Sequence, residues 1–241
     1  KKAVSKKKAT AKKLTINENE TDASNKENQG QKDQTDDRSE CAVQPGRKGG
    51  KTEQSDEKVV YLTLDDGPSK NTQAVLDILD KYNAKAAFFV TGAMPEYKDM
   101  IKKAYDKGHT IGMHTYSHDY AKVYASVDAY FQDLDQIGQL VKEEIGYVPC
   151  FIRFPGGSSN TISASYTKGI MTTLTQEVQA RGYQYYDWNG SSGDGSVRTT
   201  EELVAQATSF DSNNIILLCH DSHGKQTTVE ALPQIIEHYQ S

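Results

Sequence analysis

The chain has 241 residues, of which 36% are hydrophobic and 25% are charged, and its net charge at pH 7 is −5. This length is sufficient for one domain of ordinary size and an additional segment. The acidic balance argues against nucleic acid as a partner, and the sequence contains no apolar run long enough to cross a bilayer.

Residues 1–58 differ in composition from the rest of the chain. No aromatic residue precedes Tyr61, and the segment consists mostly of Lys, Asn, Gln, Asp, Glu, Ser and Thr. It contains 14 basic and 11 acidic residues, so its charge is +3 and the remainder of the chain carries −8. Because so few apolar side chains cannot bury a core, we predict a disordered polar linker over residues 1–58 and an acidic folded domain over residues 59–241.

After residue 58, short apolar runs alternate with stretches of helical spacing. The strand-like runs are, in chain order, "KVVYLTLDD", "AKAAFFVTG", "HTIGMH", "VPCFIRFPGG", "GYQYYDW" and "NNIILLCHD". An amphipathic segment follows each run, the longest of them spanning residues 127–145. This alternation predicts repeated β/α units around a mainly parallel sheet. The runs are nearly continuous in apolar character, which is typical of strands that are covered on both faces.

Polar side chains of unusual type stand where these predicted strands end. They are Asp65 and Asp66 after the first run, His114 and His118 after the third, Arg153 in the fourth, residues 188–194 after the fifth, and His220 and Asp221 at the end of the sixth. In parallel α/β folds the carboxyl ends of the strands share one face, so these groups are expected to form one site.

Each of these motifs has an ordinary explanation when it stands alone. The stretch "DDGP" also suits a polar turn, because Asp, Gly and Pro are all turn formers. A His-x-x-x-His pair such as "HTYSH" is by itself weak evidence for a metal site. Two histidines and one carboxylate are nevertheless a ligand set for a catalytic divalent ion, and their occurrence at equivalent strand ends favours such a site.

The three cysteines do not identify the compartment of the protein. Cys41 lies in the polar segment, and no CxxC or zinc-finger spacing occurs. Cys150 and Cys219 lie in apolar strand-like runs, where free thiols behave as small hydrophobic side chains.

The stretches "LTLDDGPS", "HTYSH", "RFPGG" and "LCH", in this order, resemble the motif series of the polysaccharide deacetylases. These are the nodulation-protein-like deacetylases of carbohydrate esterase family four, and the resemblance covers roughly residues 59–241. It implies an α/β fold of the distorted seven-stranded β/α-barrel type. We count six strand-like runs, and the chain stops at "EHYQS", where the family would continue into a last strand. We therefore leave open that the last strand is missing and that both ends are truncated.

The resemblance implies a role for each polar residue of the first three motifs. Asp66, His114 and His118 would bind the metal, with Zn2+ expected first and Co2+ or another divalent ion as the alternative. Asp65 would be the general base, kept off the metal, and Arg153 would orient it through a charge-assisted hydrogen bond.

The same resemblance implies roles for residues that would contact the substrate. The backbone N–H of Gly156 would stabilise the oxyanion, His220 would protonate the leaving amine, and Leu218 would line the acetyl pocket. The family usually has an aromatic residue at the position of Gly156. Its absence here predicts a substrate groove that is opened or reshaped on that side.

The family's fourth motif, which supplies an Asp to orient the catalytic His, allows two registers in "DWNGSSGDG". One register takes Asp187 and Trp188 as the terminal pair. The other aligns Trp188 and Asn189 with the start of the motif, which makes Asp194 the partner of the catalytic His and replaces the final aromatic with Gly195. We prefer the second register because it keeps Trp188 near the strand end, beside the substrate, and leaves Asp194 on the loop.

Taken together, these residues predict a metal-dependent hydrolase that removes N-acetyl groups from an N-acetylhexosamine polymer. Peptidoglycan is the first candidate, since "RFPGGSSN" and "DWN…SGD" resemble the corresponding motifs of bacterial cell-wall deacetylases. Chitin oligosaccharides and acetylxylan are alternatives within the same enzyme class. A catalytically inactive glycan-binding module is the alternative from another class, but such a module needs no general base.

The resemblance also implies an extracellular or cell-surface location. The chain begins with Lys rather than Met, so we expect a processed form or a fragment whose signal segment or membrane anchor lies upstream. Contact with a membrane is expected only through such an anchor. The partner expected for the domain is the polysaccharide itself.

Overall fold

Seven parallel strands form the central sheet of the computed structural model, which describes residues 41–42 and 58–241. We number all strands along the chain as β1 Cys41–Ala42, β2 Val59–Asp65, β3 Ala86–Val90, β4 Thr110–Met113, β5 Val148–Pro149, β6 Phe151–Ile152, β7 Gln184–Tyr185, β8 Gly190–Ser191 and β9 Asn214–His220. The order in the sheet is β7-β6-β4-β3-β2-β9-β8, while β1 and β5 form a separate pair. The prediction of an α/β fold of the distorted seven-stranded β/α-barrel type is confirmed, and the sheet has all seven strands.

The strand of the seven-stranded sheet that sequence reasoning did not find is β8. It has only two residues, Gly190 and Ser191, which pair with Leu217 and Leu218 of β9. Two small residues make no apolar run, so no hydrophobic pattern marks them. The seventh strand of the sheet therefore lies between the fifth and sixth predicted runs rather than after the last helix.

Helices follow the strands as the alternation predicts. They are α1 Thr72–Lys81, α2 Asp99–Asp106, α3 Tyr120–Val123, α4 Val127–Ile145, α5 Ile170–Ala180, α6 Thr200–Ala207 and α7 Gln226–Gln240. The ends of α4 follow local rules, because the Ser126 side chain accepts a hydrogen bond from the Ala129 N–H and Gly146 ends the helix at a φ of 87°. No helix in the described ranges is both long and apolar enough to span a bilayer.

The hydrophobic core lies between the sheet and its helices. Strand β3 is buried at every position, and β2 is buried at all positions except Tyr61. Apolar residues of the helices complete this core, such as Leu79 of α1 and Leu134 of α4, which are fully buried. Covered strands of this kind explain why the apolar runs in the sequence are continuous rather than alternating.

The strand register brings the predicted polar groups to one edge of the sheet. Asp65 at the end of β2 lies beside His220 at the end of β9, and Phe89 of β3 is its neighbour on the other side. Next along the sheet, β4 ends at Met113, immediately before His114, and Met113 pairs with Ile152, immediately before Arg153. Parallel pairing therefore places these groups at the carboxyl ends of adjacent strands.

A disulfide joins Cys41 to Cys150, so the expectation that Cys150 is a free thiol is wrong. Cys41 also pairs with Val148 in the short parallel ladder of β1 and β5. The two cysteines are 109 positions apart, and nothing in their spacing indicates the bond. Cys219 is free and buried, as expected. The predicted disordered linker over residues 1–58 otherwise lies outside the described residues.

Candidate active site

Two adjacent carboxylates converge on one imidazole at the end of β2. An Oδ2 atom of Asp65 lies 3.7 Å from His114 Nε2, and Oδ1 of Asp66 lies 3.5 Å from the same nitrogen. In a regular strand, neighbouring side chains point to opposite faces. Asp66 leaves that pattern because its backbone is left-handed, with a φ of 68°. Such a conformation is uncommon for a residue other than Gly and is concentrated at functional sites.

His114 and His118 face the carboxylate of Asp66. The Nδ1 atom of His114 is hydrogen bonded to the Arg153 carbonyl at 2.7 Å, which leaves Nε2 directed at Asp66. His118 Nε2 lies 3.3 Å from Asp66 Oδ1, and His118 also has a left-handed backbone, with a φ of 50°. Burial lowers the pKa of His114 to about 3, so its imidazole is neutral, as a metal ligand must be.

These three residues fit a divalent metal ion. Their candidate ligand atoms all lie within 4.8 Å of one another. The Oδ1 atom of Asp66 is buried and has no hydrogen-bond partner among the described residues, which is costly unless something else satisfies it. One carboxylate and two imidazoles are a donor set suited to zinc and similar ions, with positions left for water and substrate.

Arg153 holds Asp65 in place through Oδ1, the carboxylate oxygen that is not directed at His114. The guanidinium is completely buried, and its Nη1 donates to Asp65 Oδ1 at 2.8 Å and to Thr63 Oγ1 at 2.8 Å. Its Nε donates to the Tyr186 carbonyl, so several hydrogen bonds fix the guanidinium in place. Burial raises the pKa of Asp65, and the Arg153 charge opposes this shift. The carboxylate is thus oriented and has a raised proton affinity, which suits a general base.

His220 forms a second acid–base pair with Asp194. Its Nδ1 is 2.7 Å from Asp194 Oδ1, and its backbone N–H donates to Asp194 Oδ2. Burial lowers the pKa of His220, but the hydrogen bond and charge of Asp194 outweigh it and raise the pKa to about 9. The imidazole is therefore protonated near neutral pH. Its Nε2 lies 3.9 Å from Asp66 Oδ2, at the edge of the candidate metal cluster.

The two registers of the fourth motif correspond to different partners in the structure. Asp194 bonds to His220 and also accepts a hydrogen bond from Thr228 Oγ1. Asp187 instead accepts hydrogen bonds from the backbone N–H and the hydroxyl of Ser158. The orienting carboxylate for His220 is thus Asp194, and Asp187 anchors the loop after Pro155.

The three residues expected to contact substrate lie around this cluster. Leu218 precedes the Cys219–His220 end of β9 and is almost completely buried. Trp188 is half-buried, and its ring lies 5.5 Å from the Arg153 guanidinium. Gly156 is exposed and has a left-handed backbone, with a φ of 76°.

Sequence reasoning placed Asp221 at the end of the sixth run but gave it no role, and the structure shows it as a fully buried carboxylate next to His220. Its backbone N–H donates to the Asp65 carbonyl, and its Oδ2 accepts from Thr72 Oγ1 at 2.6 Å. Burial raises its pKa to about 7. It links the end of β9 to the turn that carries both aspartates. A carboxylate directly after a strand-end His was the available signal.

Comparisons with known proteins agree with this geometry. A family model described as polysaccharide deacetylase matches residues 52–174. A peptidoglycan-N-acetylglucosamine deacetylase of Bacillus cereus is 31% identical over 204 residues, which are 80% of this chain and 68% of that protein. A chitin deacetylase of Arthroderma benhamiae is 32% identical, and the match covers 73% of this chain and 46% of that protein.

Solved structures show the same relationship. The catalytic domain of peptidoglycan N-acetylglucosamine deacetylase from Eubacterium rectale superposes with a TM-score of 0.74 and 45% sequence identity. That match covers 83% of this chain and 87% of the other. Similarity in sequence and in fold thus points to the same family as the four motifs.

Proposed function

The chain belongs to the polysaccharide deacetylase family, and from that premise we propose that it is a metal-dependent hydrolase that removes N-acetyl groups from an N-acetylhexosamine polymer. One observation carries this proposal. The cluster of Asp66, His114 and His118 lies next to both the base candidate Asp65 and the imidazole of His220. Amide hydrolysis needs these groups together.

A divalent ion held by this cluster would polarise the acetamide carbonyl and lower the pKa of water. Asp65 takes a proton from the attacking water, and Arg153 keeps its carboxylate oriented. The N–H of Gly156 donates to the carbonyl oxygen as that oxygen gains negative charge.

His220 then donates a proton to the amine nitrogen while the carbon–nitrogen bond breaks. Asp194 holds the imidazole through Nδ1, so that Nε2 faces the reacting group. Leu218 and Trp188 provide apolar surface for the acetyl methyl group. Water adds to the carbonyl carbon, and the products are acetate and a free amine on the sugar.

Peptidoglycan is the substrate that we propose first. Its support is the similarity to the Bacillus cereus and Eubacterium rectale proteins, whose names specify peptidoglycan N-acetylglucosamine. Chitin oligosaccharides are the second candidate, because a chitin deacetylase is also among the relatives. Acetylxylan stays an alternative of the same class.

We further propose that the domain, residues 59–241, acts outside the cytoplasm, in secreted or surface-anchored form. The disulfide between Cys41 and Cys150 supports this location, since disulfides persist mainly in oxidising environments. Zn2+ is the proposed ion, with Co2+ as the alternative, because imidazole and carboxylate ligands suit both.

The test is acetate release from N-acetylglucosamine oligomers, purified peptidoglycan and acetylxylan. The protein is treated with a chelator and then reloaded with zinc or cobalt. We expect acetate release that stops on chelation, returns when metal is added and is fastest on peptidoglycan. Metal binding without release from any polymer would favour the glycan-binding module, and absence of metal binding would overturn the site. His238→Ala, which removes an exposed histidine, should release acetate like the unmodified protein and is the control for variants of the site histidines.

A further inference from the structure

Tyr120 stands between the candidate metal cluster and the loop that carries Gly156. It is the first residue of α3, whose start is capped by the Asp119 side chain. Its ring packs edge-on against His118, with centroids 5.8 Å apart, and against Tyr124 at 5.4 Å. The Tyr124 hydroxyl in turn donates to the Pro155 carbonyl at 2.7 Å. Helix α3 thereby holds the Tyr120 ring against a proposed metal ligand.

The hydroxyl of Tyr120 occupies the space beside Gly156. A Cβ atom at position 156 would lie only 2.6 Å from this oxygen, so a larger residue there would collide with Tyr120. Of the two expectations for this side of the groove, opened or reshaped, the contact favours a reshaped groove, because Tyr120 fills the space from a different element.

This hydroxyl has no hydrogen-bond partner within the described part of the chain. The hydroxyls of Tyr124 and Tyr239, in contrast, donate to backbone carbonyls. A half-buried donor next to a catalytic cluster is free to exchange water for an acceptor on the substrate.

Exposed apolar side chains follow Gly156 in the chain. The exposed large apolar side chains of the described residues are Ile162, Tyr166 and Val197, and the first two lie in one segment after Gly156. Thr167 Oγ1 donates to the Ala125 carbonyl at 2.8 Å, which ties this segment to the end of α3. Tyr166 is the residue before Thr167 and is 47% exposed, so an open aromatic ring lies in the segment that is tied to the end of α3.

We propose that Tyr120 is a substrate-binding residue, which donates a hydrogen bond to a sugar hydroxyl of the hexosamine being deacetylated, and that the Tyr166 ring packs on the next sugar of the chain. A sugar presents hydroxyl groups at its edge and C–H groups on its faces, so a tyrosine donor and an exposed ring are complementary to it. This assignment rests on the proposed function and adds the residues that would recognise the polymer.

The test compares a tetramer of N-acetylglucosamine with 4-nitrophenyl acetate, a small ester without sugar, on the metal-loaded protein. We expect Tyr120→Phe to lower kcat/KM for the tetramer about 3- to 10-fold, mainly through KM, the effect of one lost hydrogen bond. Hydrolysis of the small ester, which has no sugar hydroxyl, should fall much less than that of the tetramer. Tyr82→Phe is the matched control, since its hydroxyl bonds to Glu237 on the surface.

A second variant tests the adjoining ring. Tyr166→Ala should raise KM for the tetramer but not for the small ester, whereas Tyr166→Phe, which keeps the ring, should behave like the unmodified protein.

Binding of the deacetylated tetramer, measured by titration calorimetry, should weaken about 3- to 10-fold in Tyr120→Phe.

Three outcomes would contradict the assignment, and they differ from one another. Unchanged tetramer kinetics in Tyr120→Phe would show that the hydroxyl does not contact the polymer. An equal loss on tetramer and ester would show that it acts on the reacting centre and not on the sugar. An unmodified protein that hydrolyses the ester but no acetylated glycan would overturn the proposed function, and this assignment with it.

Discussion

Asp65 and Asp66 are neighbours in the chain, but their side chains differ in burial and in the groups that they contact. The side chain of Asp65 is 3% exposed and is hydrogen bonded to Arg153, whereas that of Asp66 is 27% exposed and faces His118. Asp66 can bind an ion because its Oδ1 has no partner among the described residues. Asp65 can take a proton because burial raises its pKa. Adjacent carboxylates of this kind can therefore serve different chemical steps.

Asp65→Asn is expected to retain metal binding and to lose activity at least about 100-fold, because the amide cannot accept the proton of water. His114→Ala is expected to lose both, because it removes a ligand. The measurement is acetate release together with titration by Co2+, followed by its absorption spectrum. Substantial turnover in Asp65→Asn would show that another group is the base.

Gly67 lies against Asp221, and the contact leaves no room for a side chain. A Cβ at Gly67 would overlap the carboxylate of Asp221, which is fully buried and hydrogen bonded to Thr72. The neighbouring turn carries Asp65 and Asp66, so displacement of Asp221 would be transmitted to both.

Gly67→Ala is expected to lower the free energy of unfolding by about 1–3 kcal/mol, the usual cost of overpacking a buried site. Gly195→Ala is the control, because no atom lies within 4 Å of its added Cβ. Chemical denaturation of both variants measures the difference. Equal stabilities would mean that Asp221 can move without cost.

At the scale of elements, a short strand outside the main sheet is covalently bound to it. Strand β1 pairs with β5, and the disulfide links Cys41 of β1 to Cys150, which lies between β5 and β6. Since β6 leads directly into Arg153, the bond anchors the segment that precedes this buried arginine. A cross-link over 109 positions restricts the unfolded chain strongly.

Replacing both Cys41 and Cys150 with Ser is expected to lower the free energy of unfolding by about 2–4 kcal/mol. Addition of a reductant should destabilise the unmodified protein to a similar extent and leave the double variant unaffected. Urea denaturation with and without reductant measures this. A reductant effect of the same size in the double variant would exclude the disulfide as its cause.

At the scale of the whole molecule, the sheet joins residues that are far apart in the chain. Asp65 and His220 are register neighbours in β2 and β9, although they lie 155 positions apart in the sequence. The loop after β8 returns Asp194 to the end of β9, where it bonds to His220. This pair links two separate parts of the fold and makes the stability of the protein depend on pH.

The pH dependence of stability follows from the directions of the pKa shifts of His220 and Asp194. The pKa of His220 is raised to about 9 in the folded protein, from an ordinary value of 6.5. Its contribution to stability is therefore complete below about pH 6.5 and is lost as the pH rises toward 9. The pKa of Asp194 is lowered, so its contribution is present above its ordinary value of 3.8 and is lost as the pH falls below it.

Unfolding free energies of the metal-free protein and of His220→Gln, measured from pH 5 to 10, test this dependence. We expect the difference between the two proteins to shrink between pH 6.5 and about 9. A difference that is constant over this interval would contradict a raised pKa for His220. The acid–base role adds a second expectation, which is a fall in kcat on the alkaline side as His220 loses its proton.

Much of the fold and of the candidate site follows from local sequence. Apolar runs alternate with amphipathic stretches because strands and helices bury side chains with different periods, and parallel strands bring their carboxyl ends to one edge. That reasoning alone placed Asp65, His114, Arg153 and His220 together. Family resemblance then supplied their expected roles.

Tertiary structure decided what depends on contacts between distant parts of the chain. Four such features leave no periodic signal in the sequence. They are the pairing of β8 with β9, the bond between Cys41 and Cys150, the hydrogen bond of His220 to Asp194 rather than Asp187, and the approach of Tyr120 to Gly156. Each depends on strand register or on how a loop packs, and these are set by the whole core. The sequence by itself therefore determined which chemical groups the site contains, and only the tertiary structure decided which of them touch.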